Sequence, residues 1–201
     1  MIKIAIFIIP KKKLRAKILN LKQKIKKSFG NQPYLSHLPH CTLFTINASN
    51  KLLKERKKFK YISINSNYHR HILIKKTGLF SKDPITGGKT IYFRVERTPF
   101  LNLLQRKLLK NFSKFIIPNK AKFKLKWMKT NNKKFGYPFV GNKWIPHLTL
   151  ASLMNLDKKN EFFKNFLRKK IKHKEIHNKI YVYKVKNDKH QFLWSINILK
   201  K

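Results

Sequence analysis

The sequence is short of acid. Seven Asp and Glu stand against 49 Lys and Arg in 201 residues, a formal net charge of +42. The seven are Glu55, Asp83, Glu96, Asp157, Glu161, Glu175 and Asp188, scattered along the chain. They form no cluster of the kind a two-metal centre requires. Asp157 and Glu161 lie one helical turn apart and suit the start of a helix. A single cysteine, Cys41, excludes an internal disulfide framework and a cysteine-based zinc site. No apolar run approaches the roughly 20 residues needed to span a bilayer. The start, MIKIAIFIIPKKK, has a short apolar run followed by lysines rather than a small-residue cleavage site. It reads as a first strand and not a signal peptide. A cytoplasmic protein without membrane contact is the expectation.

Hydrophobic residues make up 42% of the chain, which marks a globular composition. The length suits a single bilobed domain over residues 1–201. The positive field attracts polyanions, so RNA or a nucleotide is the expected partner. The richness in Lys, Ile, Asn and Phe is also what an AT-rich coding sequence produces, so charge alone names no function.

Periodicity outlines the elements. Ile2 to Ile9 is a β-branched run, a buried strand. Leu14, Ile18, Leu21 and Ile25 fall at helical spacing, and Gly30 stops that helix. NQPYLSHLPH is a loop leading into a strand from Cys41 to Ile46. KLLKERKKF suits a short helix, and YISINS, HILIKK and TIYFRV suit strands. Thr98 and Pro99 cap a second helix with the stripe Leu101, Leu104, Leu108 and Phe112. KFKLKWM alternates, with Phe123, Leu125 and Trp127 on one side, and predicts a strand. NNKKFGYPFVGNKW reads as loop. A helix over Asp157 to Ile171 and a hairpin around Asn187 and Asp188 close the chain.

Two stretches repeat an order. LPHCTLFT holds Pro39, His40, Thr42 and Leu43; WIPHLTLAS holds Pro146, His147, Thr149 and Leu150. In a strand, residues two apart share a face. His40 and Thr42 therefore point one way, Cys41 and Leu43 the other, and the same division holds for His147 and Thr149. Proline suits the first position of such strands. Strand, helix, loop and His-x-Thr strand thus occur twice, which predicts an α+β fold of two pseudo-equivalent lobes. Two facing imidazoles can share acid–base work near neutral pH, and two hydroxyls can hold phosphoryl oxygens. That suffices for phosphodiester chemistry without a metal or other cofactor.

PHCTL and PHLTL, with histidines 107 positions apart, resemble the paired His-x-Thr signatures of the 2H phosphoesterase superfamily, which includes 2′-5′ RNA ligase-like proteins and cyclic phosphodiesterases. MIKIAIFIIP resembles its first strand, and GYPFVGNKWIPHLTLAS the approach to its second motif. The resemblance implies two antiparallel-sheet lobes with helices outside and a central cleft. It implies His40 and His147 as catalytic residues and Thr42 and Thr149 as phosphate-binding ones. It implies metal-independent action on RNA or nucleotides carrying a 2′,3′-cyclic phosphate or 2′-5′ linkage. Action on cyclic oligonucleotides or RNA 3′ ends, or RNA binding without turnover, are the alternatives. A monomer is favoured.

Other motifs carry less. DPITGGKT has Asp83 where a P-loop needs glycine, and a strand follows, so it reads as a turn. His37 with His40, and His173 with His177, lack a third metal ligand nearby in sequence. His69 and His71 flank Arg70 with no further ligand. Tyr137, Phe139 and Trp144 precede the second motif and suit either base stacking or core packing. Lys143 is a candidate phosphate contact.

Overall fold

The computed structural model describes residues 1–64, 69–118, 123–154, 161–187 and 189–200. In chain order the elements are β1 (Ile2–Ile8), α1 (Lys12–Phe29), β2 (Cys41–Ala48), α2 (Lys51–Lys54), β3 (Tyr61–Ile64), β4 (His71–Phe80) and β5 (Lys89–Val95). Then follow α3 (Pro99–Phe112), β6 (Ile116–Ile117), α4 (Lys126–Phe135), β7 (His147–Leu153), α5 (Glu161–Arg168), β8 (His173–Ile176), β9 (Lys179–Lys186) and β10 (Lys189–Lys200). The fold is α+β. The strands join one open, mostly antiparallel sheet in the order β3-β10-β9-β1-β2-β7-β5-β4-β8, with β6 added to β2.

That order is nearly palindromic about the β2–β7 junction, which is made by one pair, Cys41 with Leu148. Outward from it, β1 corresponds to β5 and β9 to β4. The irregularities correspond too. Ile6 pairs with Phe44 but Phe7 with Thr42, so Leu43 is an extra residue in β2. Ile91 pairs with Ala151 but Tyr92 with Thr149, so Leu150 is an extra residue in β7. Each bulge immediately follows the His-x-Thr motif, where it bends the strand and ends regular alternation. Burial follows: Leu43 and Phe44 are both buried, as are Leu150 and Ala151.

The helices cross between the halves. α1 follows β1 but packs near β7, and α3 follows β5 but packs near β2. The segments after them add to the ends of those strands. The Ser152 amide donates to the Pro33 carbonyl at 3.0 Å, and the Ser49 amide to the Phe115 carbonyl at 2.9 Å. The two halves share one core of Ile, Leu and Phe, including Ile4, Ile6, Ile8, Leu43, Phe93 and Leu148.

Three expectations need correction. KFKLKWM leads into helix α4, and its described residues form no strand. Alternation over so short a run does not exclude a helix, and the following Lys and Asn residues extend the turn to Phe135, where Gly136 adopts the left-handed conformation. The loop expected from Asn131 is therefore helical over its first five residues. The α1 stripe is Leu14, Ile18, Lys22 and Ile25, with Leu21 only half-buried. Lys22 is buried because its ammonium donates to the carbonyls of Tyr34 and His37, both at 2.7 Å. Burial lowers it to about 8. His173 and His177 lie on and just after β8, where alternate residues share a face with Glu175. The early part of the Asp157–Ile171 helix and Asp188 lie outside the described residues.

Candidate active site

β2 and β7 begin at the two motifs, so both motifs lie at the junction of the halves. Cys41, Leu43, Leu148 and Leu150 are buried. His40, Thr42, His147 and Thr149 are all partly exposed, on the opposite face. Continuing the Cys41–Leu148 register by one residue each way sets His40 opposite Thr149 and Thr42 opposite His147. A local dyad thus exchanges the two motifs, and both imidazoles and both hydroxyls share one face.

The two histidines are held alike. The Nδ1 of His40 is 2.6 Å from the Leu38 carbonyl, and the Nδ1 of His147 is 2.7 Å from the Ile145 carbonyl. A carbonyl only accepts, so Nδ1 carries the proton in each ring. Nε2 is then the nitrogen left for chemistry: an acceptor in the neutral ring, a donor in the charged one. Among the described residues, the hydroxyls of Thr42 and Thr149 make no side-chain hydrogen bond.

Aromatic rings wall each histidine. Phe7 stacks on His40 with centroids 3.9 Å apart, and His190 meets it edge-on at 5.1 Å. Tyr92 and Phe80 each lie 5.1 Å from His147. Phe7 and Tyr92 are dyad equivalents, each paired across the strand with a motif threonine. Tyr92 lies flat over Gly78, where a Cβ would collide with its ring.

Nearby charge differs in sign. Burial lowers the His40 imidazole to about 3; the Leu38 carbonyl opposes this, and His190, His37 and Lys22 add to it. Burial also lowers His147, but there the Ile145 carbonyl and the Asp83 carboxylate both favour the charged form. Asp83 is buried in the β4–β5 turn. Its carboxylate accepts from the Ile85 amide at 2.8 Å, from the Thr90 hydroxyl at 2.6 Å and from the Tyr34 hydroxyl at 3.3 Å. DPITGG is thus a hairpin turn organised by the residue that departs from the P-loop pattern.

Among the described residues, none of the four other candidates makes a hydrogen bond or ring contact with either imidazole. Trp144 is buried, and its indole donates to the Thr42 carbonyl at 3.1 Å. Tyr137 and Phe139 are half-buried against the core, and burial raises the Tyr137 phenol. Lys143 is exposed, with its ammonium 5.7 Å from the Trp127 ring centre. Sequence reading missed Phe7, Tyr92, Asp83, His190 and Gln105. The Gln105 amide is fully buried; it donates to the Leu43 carbonyl at 2.7 Å and to the Phe139 carbonyl at 3.2 Å. It therefore satisfies the carbonyl that the bulge in β2 exposes. Only a Gln inside the α3 stripe hinted at this. His173, Glu175 and His177 form a separate group, with Glu175 accepting from His177 at 2.7 Å, His173 at 3.0 Å and the Lys11 amide at 3.1 Å. No group of three or more metal-binding side chains is placed to hold an ion among the described residues.

No family model matches the sequence, and no curated protein matches it. Solved structures do match. TT0787 of Thermus thermophilus superposes with a TM-score of 0.62 at 14% identity, over 97% of both chains. LigT of E. coli in its apo form gives 0.55 at 10% identity, over 98% of this chain and 97% of that one. A further structure described as a phosphoesterase gives 0.54 at 10% identity, over 98% of both. The chain therefore has a LigT-like fold, as the resemblance carried by its paired His-x-Thr motifs implied.

Proposed function

We propose that this protein is a metal-independent phosphodiesterase acting on 2′,3′-cyclic phosphate or 2′-5′ linkages of RNA or nucleotides. The observation that carries the reading is the dyad: two imidazoles, each anchored through Nδ1 to the carbonyl two residues back, on one face with two uncommitted threonine hydroxyls. That LigT was also crystallised with 3′-AMP agrees with a nucleotide ligand here.

Charge divides the roles. His40, beside His190, His37 and Lys22, favours the neutral ring and serves as general base. Burial lowers His147 as well, but the Asp83 carboxylate acts against this and supports its charged form, and on that ground it serves as general acid. Nε2 of His40 takes a proton from water, whose oxygen attacks phosphorus. The bond from phosphorus to a ribose oxygen breaks, and Nε2–H of His147 protonates that oxygen. Thr42 and Thr149 donate to the phosphoryl oxygens as charge builds there. Run backwards, the same groups exchange roles and join the ends.

The test is a substrate panel of 2′,3′-cyclic nucleotides, 2′-5′ and 3′-5′ dinucleotides and RNA ending in a cyclic phosphate, with products identified by mass and phosphate position. Turnover that survives EDTA is expected. Tight RNA binding with no turnover of any member would defeat the reading, as would activity lost in EDTA and restored by a divalent metal.

A further inference from the structure

The turns from the inner strands into the long helices each carry a cavity. One, of about 310 Å³, is bounded by Ile9, Lys11, Lys12, Arg15, His177 and Lys179. The other, of about 440 Å³, is bounded by Lys75, Lys76, Arg94, Glu96, Arg97 and Thr98. They occupy equivalent places, since β1 leads to α1 as β5 leads to α3. The fold therefore accounts for a hollow at each turn, and what distinguishes them is the residue beside the motif histidine.

On the His147 side that residue is Arg94, the cross-strand partner of His147. Lys76 is in turn the partner of Arg94. His147, Arg94 and Lys76 thus form one line across β7, β5 and β4, on a single face. At the strand spacing of the sheet, Arg94 sits about 5 Å and Lys76 about 10 Å from His147 at the backbone. In the other half, Phe93 corresponds to Ile8 through the pairs with Leu148 and Cys41, so Ile9 holds the place of Arg94. An apolar side chain there offers nothing to an anion.

The other charged groups of the larger cavity are already engaged. Lys75 pairs with Glu96 at 2.9 Å, and Arg97 donates to the Gly141 carbonyl at 2.9 Å. Arg94 and Lys76 are exposed, and neither makes a hydrogen bond or ion pair with a described residue. A structural ion pair is the ordinary reason for an arginine between two strands, and it is not met here.

We infer that Arg94 and Lys76 form a second phosphate subsite, which takes the phosphate adjoining the scissile one on a nucleic-acid strand. The inference rests on the phosphodiesterase reading and narrows it: the preferred substrate carries at least two phosphates and is an oligonucleotide rather than a cyclic mononucleotide. Arg94 presents a planar fork that holds two non-bridging oxygens, and Lys76 adds a point charge one strand further out. The strand runs from the histidine pair outward over β5 and β4, and not over β1 and β9, where Ile9 holds the place of Arg94.

The test compares kcat/KM for a cyclic mononucleotide and for a 5′-phosphorylated dinucleotide ending in the same cyclic phosphate. The native protein favours the dinucleotide by about tenfold or more, the yield expected of one well-placed charge-assisted contact. In Arg94→Gln/Lys76→Gln that preference collapses towards parity. Lys26→Gln/Lys27→Gln removes the same charge from exposed positions at the far end of α1 and keeps the preference. The subsite is refuted if R94Q/K76Q keeps the native ratio, or if the α1 variant loses it equally. If the native protein cleaves neither compound, the phosphodiesterase reading fails separately. The subsite is then read from binding of a single-stranded DNA tetranucleotide. Its log K against log salt slope should flatten by about 0.7 or more in R94Q/K76Q. An unchanged slope overturns it.

Discussion

Cys41 and Leu148 are cross-strand partners, and the local dyad that exchanges His40 with His147 passes between them. The pair closes the sheet between the halves with two buried side chains, which leaves the neighbouring positions to face outward.

His40→Ala and His147→Ala should each lower kcat by about 10²- to 10⁴-fold. Thr42→Val and Thr149→Val should each cost about 10²-fold, since the hydroxyl is lost with little change of volume. Circular dichroism and equilibrium RNA binding should stay near native, because all four side chains lie on the open face. Equal losses of binding and turnover would point to a structural role instead.

The pH profile follows from the surroundings of the imidazoles. In the free protein both lie below the ordinary 6.5. His147 must be protonated to act, so kcat/KM should peak on the acid side of 6.5 and fall as pH rises. A bound phosphate anion raises His147, so the falling limb of kcat should lie at higher pH. Asp83→Asn removes a carboxylate that favours the charged ring and should move the falling limb of kcat/KM downward. A limb that stays put in D83N would remove Asp83 from the account.

Gln105 is the side chain on which the bulge in β2 depends. Gln105→Leu leaves the carbonyls of Leu43 and Phe139 and the amide of Gly141 without this partner. A loss of about 2 to 4 kcal/mol in urea unfolding is expected, on the scale of buried groups left unsatisfied. Activity should fall with stability, because Thr42 and the bulge are adjacent. A change below about 0.5 kcal/mol would mean that water replaces the amide.

Burial pushes the Cys41 thiol up to about 12. It should therefore resist a thiol reagent such as DTNB in the native state and react fully in guanidinium. Rapid reaction of the native protein would mean that the β2–β7 junction opens.

Much of the site was legible because it repeats at a period of two. In PHCTL and PHLTL the alternation of polar and apolar residues assigns the faces, and the structure buries Cys41, Leu43, Leu148 and Leu150 as that alternation requires. The helix stripe of α3 was equally legible, down to its Thr98 cap, whose hydroxyl accepts from the Leu101 amide at 3.3 Å. KFKLKWM misled because seven residues cannot separate the two periods when packing is unknown. Lys22 misled because a lysine in an apolar stripe is buried only when two distant carbonyls meet its ammonium. Phe7, Tyr92, Asp83 and Arg94 gave no local signal, since the motif residues on which they act lie tens of residues away.

The sequence by itself determined which side chains turn away from the core in the two motifs, because a strand alternates and a proline opens each one. It also determined that the motifs belong to equivalent units, because the order of elements repeats. Only the tertiary structure decided that these units join through one residue pair, that each bulge re-aims the strand after its threonine, and that charges of opposite sign lie beside the two imidazoles. Those are consequences of strand register and helix crossing. Both are set by long-range packing and hydrogen bonds such as that of Gln105 to Leu43, which no local stretch of sequence encodes.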